Sequence, residues 1–303
     1  MTVEPPVGLP GPSPSWPYVL LGLALVSIGI AAWRPIPAGV WHDDGVYMLV
    51  GKALAEGHGF SYAGVVGAPP AAKFPPGYPL LLGALWTVFG SIGAVTLAAT
   101  FLNLGFLAIA GGLFAWTLRA TTGLSLRLSL AAAGLGFVST DLLRTALVPL
   151  SESMFMLLAM AALALWPRVV GDSTVRAGSD PDAPVVSGGS SVLLALVLLA
   201  AVMTRSAAIA LVIAFLMGLV ARRGVRIALA ITAPSFLAAW WWGRWSAEAS
   251  ARIPEGARDL LGPYGSWLAD QTLSAPATFL GALPGHALGL ATRAASIILP
   301  GLT

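Results

Sequence analysis

Cysteine is missing altogether from the 303 residues. That excludes disulfides, thiolate metal sites and a cysteine nucleophile, and leaves the redox compartment open. Charge is almost as scarce. Sixteen Lys and Arg against thirteen Asp and Glu make up 10% of the chain, where a soluble domain averages about 25%. Net charge is only +3 and the basic residues are scattered, which excludes the clustered basic face that nucleic acid requires. The three histidines, His42, His58 and His286, stand too far apart in sequence to suggest a metal set. No internal repeat is visible.

Apolar residues fill the space that charge leaves. They make up 57% of the chain, and mean hydropathy is +0.84. This composition belongs to an all-α, polytopic integral membrane protein. Its many Gly, Ala and Pro residues suit helices that pack closely in lipid. Residues 1–16, rich in Pro and Gly, read as a disordered tail, and 17–303 as one transmembrane domain. Apolar runs predict spans over 18–33, 93–118, 126–140, 147–166, two short ones within 191–221 that meet at Arg205, then 227–245 and about 280–299. That gives about eight. The 191–221 run is divided because an arginine at mid-membrane is costly and one near the surface is not. The first run lacks a basic leader and a small-x-small cleavage site, so it reads as an uncleaved span.

Between these runs lie a first loop, 34–92, and a second, 246–279. The connections at 119–127, 167–190 and 222–226 hold seven arginines, which places them and the N-terminus in the cytoplasm and both long loops outside. Within the first loop, Val46, Leu49, Val50 and Ala53 recur at helical spacing and predict a short amphipathic helix over 44–56, ended near Gly57. Residues 76–90 are apolar but too short for a ~30 Å hydrocarbon core. They predict a helix that lies at the interface or re-enters. Asp43, Asp44, Lys73, Asp141, Arg144, Glu152 and Arg205 all fall on or near the outer face in this topology.

Three elements of the first loop carry a resemblance. Asp43-Asp44-Gly45-Val46-Tyr47 is followed by Ala53-Leu54-Ala55-Glu56-Gly57-His58-Gly59 and then by Lys73-Phe74-Pro75-Pro76-Gly77-Tyr78-Pro79. Together with Val88-Phe89-Gly90 and the Leu150-Ser151-Glu152 element, the pattern resembles the GT-C glycosyltransferases, and within them the protein O-mannosyltransferase and aminoarabinose-transferase-like group. The likeness fades after about residue 221. It implies juxtamembrane helices in the first outer loop and transfer of a sugar, with inversion, from a polyprenyl-phosphate donor to an acceptor on the extracytoplasmic side. A bacterial inner membrane is the implied setting. Family members generally have more spans and often a soluble C-terminal domain, so a short member, a truncated product or half of a split enzyme is expected. The doublet here is Asp-Asp where Asp-Glu is common, and matching position favours Asp43 as the catalytic acid.

The chemistry of such a transfer fits these residue types. A carboxylate activates the acceptor hydroxyl as general base, a role for Asp43 with Asp44 orienting it. Cations stabilise the departing phosphate, a role for Lys73, Arg205 and, third, Arg144. Tyr47, Tyr78, Glu152 and His42 are expected substrate contacts, although Trp41, Tyr47 and Tyr78 fit an aromatic belt at least as well. Lys73 fits a snorkelling surface residue equally. Asp43, Asp44 and Glu152 offer oxygen ligands for Mg²⁺ or Mn²⁺, and the metal is left open. Competing readings are a transporter or lipid carrier built on an Arg205–Glu152 ion pair, and a non-catalytic subunit of a split glycosyltransferase.

Overall fold

A computed structural model describes residues 14–171 and 188–263 continuously, with isolated positions between 276 and 289. Among the described residues there are eleven α-helices, one short 3₁₀ turn and no strand. The tail before residue 14, the segment 172–187, the second loop beyond 263 and most of the expected last span lie outside the described residues.

The first helix, α1 (Trp16–Ala32), starts where the disordered tail was expected to end, with Pro17 in its first turn. A proline loses nothing there, because the first helical N–H groups have no partner anyway. Next, α2 (Asp43–Ala55) and α3 (Gly77–Phe89) occupy the first loop. Their close crossing depends on glycine: a Cβ at Gly51 would lie 2.8 Å from Leu82 Cβ. Then α4 (Ile92–Thr122) runs the depth of the bundle, begun by a Ser91 cap that accepts from Ala94 N–H and ended at Gly123 with φ +70°.

The expected span over 126–140 is broken. Helix α5 (Leu126–Phe137) stops early, and α6 (Thr140–Ala146), capped by Ser139, turns away from it by 67°. The expected span from 147 is also corrected: α7 (Glu152–Val170) begins five residues later. Residues 147–150 are buried yet not helical, and the carbonyls of Leu147, Val148 and Leu150 are satisfied from α4. Thr100 Oγ1 donates to Leu147 O at 3.3 Å, while Asn103 Nδ2 donates to Val148 O at 2.8 Å and Leu150 O at 3.1 Å. A buried carbonyl needs such a partner, and the fully buried Asn103 supplies it.

Arg205 does separate two helices, α8 (Gly188–Thr204) and α9 (Ala208–Arg223). The following α10 (Val225–Ser250) extends into what was expected to be the second loop. A 3₁₀ turn (Glu255–Ala257) and α11 (Arg258–Leu261) then fold back over the first loop. Among the described residues three helices, α4, α7 and α10, are long and apolar enough to cross a membrane, and four such crossings result if α5 and α6 form one bent span. α1, α3 and most of α8 are shorter apolar helices.

Two apolar cores hold the bundle. One joins α7, α8, α9 and α10 around Leu194, Leu198, Val212 and Leu219; the other joins α1, α4, α5, α6 and α7 around Leu25, Leu104, Leu107 and Phe137. Two further clusters fasten α2 and α3 to one end of it. That same end carries the start of α7, the α8–α9 break and the end of α10. The arginine-bearing turns at 119–127 and 222–226 belong to the opposite ends of these helices.

Candidate functional site

Asp43 opens α2, and the backbone leading into it is unusual. His42 has φ +62° and ψ −58°, and the Asp43 N–H donates to Trp41 O at 2.7 Å. This is a γ-turn of the positive-φ kind, a conformation that costs an L residue about 1–3 kcal/mol. Asp44 holds the turn in place. Its Oδ2 accepts from Gly39 N–H at 2.7 Å and its Oδ1 from Trp41 N–H at 3.0 Å, and the residue is wholly buried. Both oxygens of Asp44 thus serve the 39–42 loop, and only Asp43 is turned toward the cavity.

Lys73 meets Asp43 there, with Nζ 3.2 Å from Oδ1. The lysine side chain is 4% exposed and the aspartate 36%, so Lys73 does not snorkel. Its backbone is fixed from three directions. Tyr62 Oη accepts the N–H groups of Ala72 and Lys73, both at 3.1 Å; Ser246 Oγ donates to Ala72 O at 2.6 Å; Trp245 Nε1 donates to Ala71 O at 3.2 Å. The Pro75-Pro76-Gly77 turn then starts α3 hard against α8. A Cβ at Gly77 would lie 2.7 Å from Met203 O, so only glycine lets the two segments approach this closely.

A second polar group stands beside the first. Arg205 pairs with Glu152 and also donates to Ser151 Oγ at 3.2 Å, which lies 2.8 Å from Tyr47 Oη. Tyr47 stacks on Phe74 at 4.3 Å and meets Tyr78 edge-on at 5.1 Å. Burial, more than any neighbour, pushes the Tyr47 hydroxyl well above the ordinary phenol range, so it stays neutral. Tyr78 is completely buried behind it and bonded to Asn103.

Asp43, Tyr47, Lys73 and Arg205 line one cavity of about 820 Å³. Its far wall is one face of α10: Ala239, Trp242, Gly243, Ser246, Ala247 and Ser250. Gly243 and Ala247 are exposed edges of that wall. The lining therefore sets the charged groups against a mixed wall of small residues, two serines and one tryptophan along about 16 Å of helix.

The other expected site residues fall elsewhere. Glu152 reaches the cavity only through Arg205. Tyr78 packs behind Tyr47, and Arg144 is exposed on α6, away from the lining. His42 is exposed, and its Nε2–H donates to Leu260 O at 3.2 Å. The carboxylates are not gathered as a metal set: both oxygens of Asp44 are spent on backbone N–H groups, and Glu152 gives Oε1 to Arg205. Among the described residues no three His, Asp or Glu side chains gather as ligands.

Several lining and supporting residues escaped the sequence reading. Trp242 is buried and lines the cavity, while its neighbours Trp240 and Trp241 are exposed. Ser246 and Tyr62 gave no signal of their own, and Ser151 stood only as part of the Leu150-Ser151-Glu152 element. Asn103 did give one, as a lone amide in an apolar helix. Comparison of the chain with protein-family models, with curated proteins and with solved structures finds no match.

Proposed function

We propose that the chain is a membrane glycosyltransferase of GT-C type, moving a sugar from a polyprenyl-phosphate donor to an acceptor hydroxyl on the extracytoplasmic face. The observation that carries this reading is the shared cavity: one partly exposed carboxylate, Asp43, and two cations, Lys73 and Arg205, line one space whose wall is a face of α10. In this reading α1, the bent α5–α6 pair, α8 and α9 are crossings in addition to α4, α7 and α10, and the last expected span completes eight. The arginine-bearing turns face the cytoplasm.

The reaction follows from the charges. A donor phosphate entering between Lys73 and Arg205 competes with Asp43 for the lysine and leaves the carboxylate open to the acceptor. Asp43 takes the proton of the acceptor hydroxyl as its oxygen attacks the anomeric carbon. The bond from that carbon to the phosphate oxygen breaks on the opposite side, its electron pair stays with the phosphate, and configuration inverts. Lys73 and Arg205 stabilise the charge gained by the leaving group, and their effect is larger in a cavity poor in water. The exposed Gly243–Ala247 edge offers the hydrocarbon chain of the donor a way out sideways. The test is transfer of label from a polyprenyl-phosphate sugar by protein in liposomes. Asp43→Asn should insert and fold like the parent and lose transfer; unimpaired transfer overturns the assignment.

A second reading, a lipid or solute carrier, draws on the Arg205–Glu152 pair at the α8–α9 break. It requires flux across the same liposomes without chemistry. Glu152→Gln would then abolish flux rather than slow transfer.

A further inference from the structure

The chain after α10 folds back over the first loop, and two successive carbonyls at its turn each receive one hydrogen bond from it. Leu260 O accepts from His42 Nε2–H at 3.2 Å, and Leu261 O accepts from the Tyr62 hydroxyl at 2.8 Å. Each donor stands next to one half of the ion pair. His42 is the strained residue immediately before Asp43, and Tyr62 Oη accepts the N–H of Lys73. We propose that His42 and Tyr62 are positioning residues, through which the 258–263 segment sets the alignment of Asp43 with Lys73.

Three observations carry this. The His42 conformation is not one an L residue keeps unaided. It is held on one side by Asp44, through Gly39 and Trp41, and on the other by the Leu260 carbonyl. Tyr62 is fully buried, and its hydroxyl donates once and accepts twice, so no part of that small network can shift without leaving a buried polar group unmatched. Leu261 packs in one cluster with Val46, Val50, Tyr62 and Ile253, which ties the segment to α2 itself. Pro263, two residues on, lines the cavity. An occupant that presses on Pro263 therefore acts on both charges of the pair at once. The buried Tyr62 arm is the stronger of the two, because the His42 bond is open to solvent.

The proposal rests on the glycosyl-transfer reading for what the pair does, but not for what holds it, and the experiment separates the two. Full-length protein in detergent carries Tyr62→Phe, His42→Gly or, as a packing control in the same cluster, Ile253→Val. The rate at which an amine reagent labels Lys73 is read by mass spectrometry, and kcat and KM are read in the transfer assay. Labelling should quicken about tenfold in Tyr62→Phe and about threefold in His42→Gly, with kcat falling and the donor KM little changed. Ile253→Val should lower Tm and leave labelling as in the parent. Labelling in Tyr62→Phe within about twofold of the parent overturns the proposal, as does equal quickening in Ile253→Val. Absence of transfer by the parent with every donor would defeat the glycosyl-transfer reading alone, since labelling still decides the positioning.

Discussion

Asp43 and Lys73 face each other across 3.2 Å, but one side chain is 36% exposed and the other 4%. The pair is thus lopsided: the carboxylate is reachable, and the ammonium is held beneath it. Neighbouring acids in the sequence are expected to behave differently for the same reason. Asp43→Asn should lower transfer about 10²–10⁴-fold with little change in Tm, the effect of losing a general base. Asp44→Ala should instead cost about 2–3 kcal/mol of stability, because two backbone N–H groups lose a charged acceptor. Paired activity and thermal-melt measurements check both; a swap of the two phenotypes would reverse the assignment.

Arg205 has two partners, Glu152 and Ser151. Arg205→Ala should raise the donor KM about tenfold or more, by removing a cation from the phosphate. Glu152→Gln leaves that cation in place and should have a smaller effect on KM. Steady-state kinetics on both variants check the order.

Gly243 edges the cavity, and a Cβ there meets nothing within 4 Å. Gly243→Leu should therefore fold, with a gain of up to about 1 kcal/mol in helix propensity. Its side chain would occupy the exit along α10. Transfer from long-chain donors should fall while a short, water-soluble analogue is used as before. Competition between the two donors is the measurement.

Asn103 supports a buried, non-helical stretch between two helices. Asn103→Leu would strip partners from the carbonyls of Val148 and Leu150, at a cost of about 1–3 kcal/mol. The loss of Tm should come with faster amide exchange at residues 147–151 and altered reactivity at Ser151 and Glu152, which follow directly.

Alkaline pH tests the buried phenols. Burial chiefly raises Tyr47 and Tyr62 above their ordinary 10.0, so the unfolded chain releases these protons first. Above pH 10 the folded state then holds more protons than the unfolded one, and stability must fall as pH rises. Below pH 10 these two groups contribute no slope. Tm measured from pH 8 upward should show the decline, and Tyr47→Phe should flatten it.

The sequence made α2 and α3 legible because both are bounded by local chemistry: an acidic start and Gly57 for one, paired prolines and Gly90 for the other. The α8–α9 break was equally plain, since an arginine in an apolar run has few places to go. The unwound residues 147–151 were hidden because their partners, Thr100 and Asn103, lie more than forty residues earlier. Asp43 was favoured over Asp44 by matching position alone; the physical reason, that the preceding loop claims both oxygens of Asp44, came only with the γ-turn in view. Tyr62 was silent for a similar reason. Its three hydrogen bonds are all to backbone, and backbone leaves no trace in composition.

The contact at Gly77 has a consequence for how the cavity can be tuned. With no room for even a methyl between Gly77 and Met203 O, the stretches bearing the two cations are fused main chain to main chain. The spacing of the backbones that carry those charges is then an inherited dimension of the scaffold, and only the reach of the Lys73 and Arg205 side chains is left to adjust it. Adapting this cavity to a bulkier anionic headgroup would demand re-laying α3 against α8, whereas adapting it to a different tail would need only a new side chain on α10.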